Sequence, residues 1–151
     1  MTATNQEALD TVNSKLLSIL QVEGSALLGY VPEVVWVRKE QQNPIRNRAW
    51  LRVAHQIAQE YQATLCTNVG QDTYRRWRTD AYALVEIFCS TEVLNSSGKI
   101  DELGIIIKNK FRGVTFPNGL WITEVKPQAE ADEAGFSRFD VVIHYQYDSV
   151  G

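Results

Sequence analysis

The stretch GFSRFDVVIHYQYDSVG constrains the fold more than any other part of the chain, because its apolar and polar residues alternate almost without a break. Phe139, Val141, Ile143, Tyr145 and Tyr147 fall at every second position, with Asp140, Val142, His144 and Gln146 between them. Among regular structures only a β-strand sends alternate residues to one face, so a long strand with one apolar and one mixed face is predicted. Burying each apolar side chain contributes on the order of 1.5–3 kcal/mol before ordering costs. That is ample to tie down an end that would otherwise fray. The second predicted helix, through Leu103 and Ile107, is expected to pack over the tyrosines. The mixed face is then the candidate for a subunit or partner contact.

The remaining elements follow from periodicity and punctuation. Thr4 with Glu7 makes a capping-box pattern ahead of Leu9, Val12, Leu16, Ile19 and Leu20, which predicts a helix over roughly 5–20, broken by Gly24 and Gly29. EVVWV reads as a short strand, with Val35 and Val37 opposing Val34 and Trp36, and RKEQQNPIRNR as a polar, basic loop. AWLRVAHQIAQEYQATL begins as a strand that sets Leu51, Val53, His55 and Ile57 against Trp50, Arg52, Ala54 and Gln56. TNVGQD carries turn chemistry and predicts a hairpin. TYRRWRTDAYALVEIFCS passes from alternating to nearly continuous apolar residues, as a central strand does. The turn NSSGK leads to a helix, IDELGIIIKNKF, with Ile100, Leu103, Ile107 and Phe111 on one face and Gly113 as its C-terminal cap. GLWITEVK reads as a strand and PQAEADEAG as an acidic loop. The order predicts an α+β fold, two main helices packed on a mostly antiparallel sheet.

With 151 residues, 44% of them apolar, one domain spanning 1–151 is expected. A net charge of −3 gives no general electrostatic reason to bind nucleic acid. Cys66 and Cys89 are too few for a disulfide framework and lack metal-ligand spacing, which points to buried, reduced thiols. The opening MTATNQEALD has no leader pattern and no apolar run is long enough to span a bilayer, so a soluble chain made in the cytosol is expected.

Residues able to carry chemistry are sparse. His55 and His144 both fall on predicted strands, where a lone histidine is more often structural than catalytic. No metalloprotease, nucleophile-elbow, phosphate-loop or dinucleotide-binding motif occurs. Glu130, Asp132 and Glu133 read as a solvated acidic turn, since a calcium loop would need a ladder of oxygen ligands. No enzyme activity, metal or cofactor is expected. Binding is better represented. TYRRWR interleaves Arg75, Arg76 and Arg78 with Tyr74 and Trp77, a composition that suits either base stacking or a protein hot spot. Arg46 and Arg48, with Arg38 and Lys39, form a second basic cluster. An acidic chain favours protein contact, with the basic clusters meeting the acidic 130–133 segment of a neighbour head to tail, the kind of contact that closes rings.

Taken together, W-L-R-V followed by Q-A-T-L, the central V-E-I-F strand, the helix ending F-R-G and the last strand closing on aromatic-x-Tyr resemble the tail terminator (tail completion) proteins of long-tailed bacteriophages. The resemblance runs from about residue 5 to the end. It implies an α+β domain assembled as a hexameric ring on the head-proximal end of the tail tube. There the ring would stop tube polymerisation and offer the surface for the head-completion and connector proteins. It implies a virion location after synthesis in the host cytoplasm, no cofactor, and DNA passing through the ring without specific binding. A lumen lined with arginine would retard DNA, so Arg75, Arg76 and Arg78 are expected to face neighbours or the outer surface. The Gln- and Arg-rich loop before W-L-R and the long acidic segment after Pro127 depart from the pattern. The alternatives are a small nucleic-acid-binding domain using 74–78 and a neighbouring head-completion or connector protein.

Overall fold

The structure is a computed structural model and describes residues 2–37, 47–63, 67–69, 72–74 and 76–150. Helix α1 spans Asn5–Ile19 and passes through a wider π turn, Leu20–Gly24, into the short α2, Ser25–Leu28. Thr4 caps α1 reciprocally with Glu7, as the sequence predicts: the Glu7 N–H donates to the Thr4 hydroxyl at 3.1 Å and the Thr4 N–H to the Glu7 carboxylate at 2.9 Å. Gly24, expected to break the helix, does not. It lies buried inside the π turn, and the break comes at Gly29, whose φ of 82° belongs to a left-handed cap.

The strands are β1 (Glu33–Trp36), β2 (Trp50–Gln62), β3 (Thr67–Val69), β4 (Asp72–Tyr74), β5 (Arg76–Ser90), β6 (Trp121–Glu133) and β7 (Phe136–Val150), with α3 (Ser96–Phe111) between β5 and β6. Five of them form one sheet in the order β1-β2-β5-β7-β6, in which β1 is parallel to β2 and every other pairing is antiparallel. The fold is α+β, and β5 is the central strand that its apolar run predicts. β3 and β4 make a separate small ladder at the expected hairpin, whose Gly70 lies outside the described residues.

Other expectations change as well. The acidic loop PQAEADEAG is strand: β6 continues to Glu133, and the reversal is only Ala134-Gly135, both at positive φ (50° and 82°), the geometry of a tight hairpin. Pro, Ala, Glu and Asp have poor strand propensity, and pairing with β7 overrides it. Helix α3 also starts four residues before Ile100, at Ser96, inside the segment expected as a turn.

The helices of the described residues lie on one side of the sheet. Ala81, Ala83, Val85 and Ile87 of β5 and Val141 and Ile143 of β7 meet Leu16, Leu20, Ile100, Leu103, Ile107 and Phe111 in the core. Tyr147 of β7 is tied directly to α1, and Tyr145 bonds His55 of β2, which in turn bonds Asn13 of α1. Tyr147 donates its hydroxyl proton to Asn5 Oδ1 at 2.6 Å, and the Ala3 N–H donates to the Asp148 carbonyl at 2.8 Å. The reason is length: a strand of 15 residues runs about 50 Å, whereas a helix of 16 residues covers only about 24 Å. Helix α3 covers the first part of β7, where Gly104 lets the Phe139 ring approach its backbone, and α1 bonds to its far end.

Candidate assembly surface

Among the described residues the other side of the sheet has no helix, and there the even-numbered residues of β5 and β7 face outward. Charges set inside apolar runs, Glu86 in ALVEIF and Asp140 in FDVV, lie on this side, yet both are only 5% exposed. They are covered by arginines. Arg52 on β2 grips Glu86 with two bonds of 2.8 and 2.9 Å. Arg138 on β7 reaches Glu86 at 2.8 Å and grips Asp140 with two bonds of 2.9 Å. Cross-strand register explains the meeting, since Arg52 stands opposite Glu86, Glu86 opposite Asp140. Both guanidinium groups also lie over the Phe88 ring, at 5.4 and 5.8 Å. Trp50 stacks on Phe88 at 4.5 Å between ring centres, and Phe136 meets both rings edge-on.

The far end repeats the device. Asp148 is 7% exposed and accepts from Arg78 at 2.9 and 3.2 Å, with Arg76 at 3.6 Å. Asp148 raises Arg78 further above the ordinary arginine range. The Arg78 guanidinium also lies 5.0 Å from the centre of the Trp121 ring. Between the ends, Tyr82 donates to Gln56 at 2.7 Å and leans on His144. Beside them is a shallow cleft of about 520 Å³ whose lining includes Asp80, Glu124 and Gln146. Bidentate arginines over buried carboxylates hold their positions, because breaking such a pair strands a buried charge. The result is a pre-ordered polar and aromatic face.

The two histidines lie on opposite sides of the sheet and do not converge. His144 faces the helix-free side, and His55 faces α1. The His55 Nε2 is 2.7 Å from Asn13 Oδ1, an acceptor, which puts the ring proton on Nε2 and leaves Nδ1 to accept from the Tyr145 hydroxyl at 3.0 Å. Burial lowers the pKa of His55 to about 4 and raises that of Tyr145. Cys89 is buried and its thiol pKa is raised by burial, so it is poorly nucleophilic; Cys66 lies outside the described residues. Among the described residues no three His, Cys, Asp or Glu side chains gather as a metal site. No helix there is long and apolar enough to cross a membrane.

The predicted contact residues are scattered. Arg76 and Arg78 share Asp148. Arg48 is exposed, its guanidinium 4.8 Å from the centre of the Tyr30 ring. Glu130 is half-buried opposite Arg138 near the end of β6, and Asp132 is exposed. Arg46, Arg75, Arg38 and Lys39 lie outside the described residues, as do the side chains of Tyr74 and Glu133. Sequence reasoning picked out the Asp140 face of the last strand but missed Arg52, Glu86, Arg138 and Asp148. Their signal was a charge at an alternating position inside an otherwise apolar strand.

No protein-family model matches the chain, and no curated protein matches it. Eighteen solved chains match. One, known only by a sequence label, is 12% identical over 96% of both chains with a TM-score of 0.61, a likeness that shows the fold alone.

Proposed function

We propose that this chain is a structural virion protein that forms a ring on the head-proximal end of a phage tail tube, ends tube polymerisation and presents the head-joining surface. The motif order that resembles tail terminators supports this reading. The observation that carries it is the helix-free sheet face, where Arg52, Arg138, Arg76 and Arg78 are held over buried carboxylates. A capping protein works by offering a rigid surface to partners, and an ion-paired sheet face is one, with its geometry set before contact. No chemistry is proposed. The nucleic-acid alternative is weakened because Arg76 and Arg78 both pair with Asp148 and Arg78 lies against Trp121, so these guanidinium groups are engaged within the chain. DNA is proposed to pass through the ring without specific binding, with the tube protein and the head-completion or connector proteins as partners.

The location is tested by electron microscopy of particles carrying a gold-labelled tag on this protein. Label at the head–tail joint is expected. Label along the tube or at the distal tip would remove the proposal.

A further inference from the structure

Among the described residues the two outer edges of the sheet are open at matching heights. Among the described residues β6 has no strand on its outer side, and β1 covers β2 only from Trp50 to Val53. The Val37 N–H closes that cover by donating to the Val53 carbonyl at 3.1 Å. Registers across the sheet place Val53, Val85, Val141 and Pro127 on one row. The next rows are Ala54, Leu84, Val142 and Lys126, then, two residues along, Gln56, Tyr82, His144 and Glu124, and then Ile57, Ala81, Tyr145 and Ile122. Pro127 has no N–H to offer a new strand, and it stands on the row where β2 is already covered. Lys126, Glu124 and Ile122 stand on rows where no described strand covers β2. Three successive antiparallel pairings also make β6 antiparallel to β2. Rotation about an axis along the strands keeps strand direction, so β6 of one copy would meet β2 of the next in the antiparallel sense.

The side chains flanking these edges are complementary. On the helix side of β6, a cleft of about 400 Å³ opens beside α3, with Lys108 and Arg112 on one wall and Ile122 and Val125 on the other. Neither cation has an ion pair among the described residues. On the open end of β2, a bulge between Ile57 and Gln59 puts both Ile57 and Glu60 on the helix side, opposite Ala81 and Thr79. Ile57 is 47% exposed, and Glu60 is exposed as well.

We propose that copies of this chain associate head to tail by pairing the open end of β2 with β6 near Glu124, with Ile57 entering the cleft and the Glu60 carboxylate meeting Lys108 and Arg112. The contact is heterologous, joining opposite sides of the subunit, and it deepens the ring-forming part of the proposed function. Sedimentation and native mass spectrometry of the purified chain test it. Glu60→Lys, or Lys108→Glu with Arg112→Glu, weakens self-association about tenfold or more, and the three changes combined restore it. Ile57→Asp weakens it independently. Circular dichroism at each step checks that these surface variants stay folded. Unchanged association in Glu60→Lys, no restoration in the combined variant, or a wild-type monomer at every concentration would overturn the contact. Charge-swap rescue together with tubes of ordinary length when the protein is missing would keep the contact and remove the terminator reading.

Discussion

Replacing His55 by Gln removes one ring that titrates and should remove part of the protein's acid sensitivity. In the folded chain His55 is lodged between Asn13 of α1 and Tyr145 of β7, with no carboxylate bonded to the ring, and burial lowers its pKa from 6.5 to about 4. The unfolded chain therefore takes up the proton first as pH falls. Between pH 6.5 and 4 the unfolded state binds more protons, so stability drops by about 1.4 kcal/mol per pH unit at most. The full drop is about 3 kcal/mol, and about 2 kcal/mol once the partial solvent exposure of the ring is allowed for. Above pH 6.5 the ring is neutral in both states and contributes no slope. Urea titrations of wild type and His55→Gln at pH 7, 5.5 and 4 measure this directly, because titrations common to both chains cancel in the difference. Wild type should lose about 2 kcal/mol more than the variant between pH 7 and 4. Equal losses would show that the His55 site does not oppose protonation.

Three further substitutions probe the framework. Gly104→Ala should destabilise by about 1–3 kcal/mol in urea titration, although alanine favours helix by about 1 kcal/mol, because the new Cβ would overlap the Phe139 ring; a more stable variant would contradict the close approach. Arg138→Met leaves Asp140 without its bidentate partner and should cost about 3 kcal/mol by the same measurement, whereas a neutral effect would show the ion pairs are dispensable. Tyr147→Phe loses the bond to Asn5 and should cost about 1 kcal/mol, with faster amide exchange in the first turn of α1; unchanged exchange there would contradict the tie.

Much of the fold was legible because period and burial agree. Ile100, Leu103, Ile107 and Phe111 repeat at helical spacing and are all buried, and the β7 alternation separates core from open face as written. The failures share one cause, that pairing partners are not local. Nothing in AEADE signals a strand, and only β7 beside it makes it one. Gly24 stays in a helix with Pro32, from beyond the helix, packed beside it. Periodicity also could not say which helix covers which part of a strand longer than either. The candidate surface was harder still. TYRRWR stands out by composition, but Arg52, Glu86 and the neighbouring pair Arg138 and Asp140 come from three separate strands and converge through register. The acidic 130–133 segment reads in sequence as a loop and so as a movable contact, whereas Glu130 is fixed in β6, and Arg78, on the predicted central strand, is fixed on Asp148.

The central claim is that this chain ends the growth of a tail tube. Electron microscopy of tails assembled with and without it, scored for length, tests that claim most directly. The account predicts tubes that run well past the ordinary length when the protein is missing and return to it when the protein is supplied. Tubes of ordinary, uniform length in its absence would contradict it.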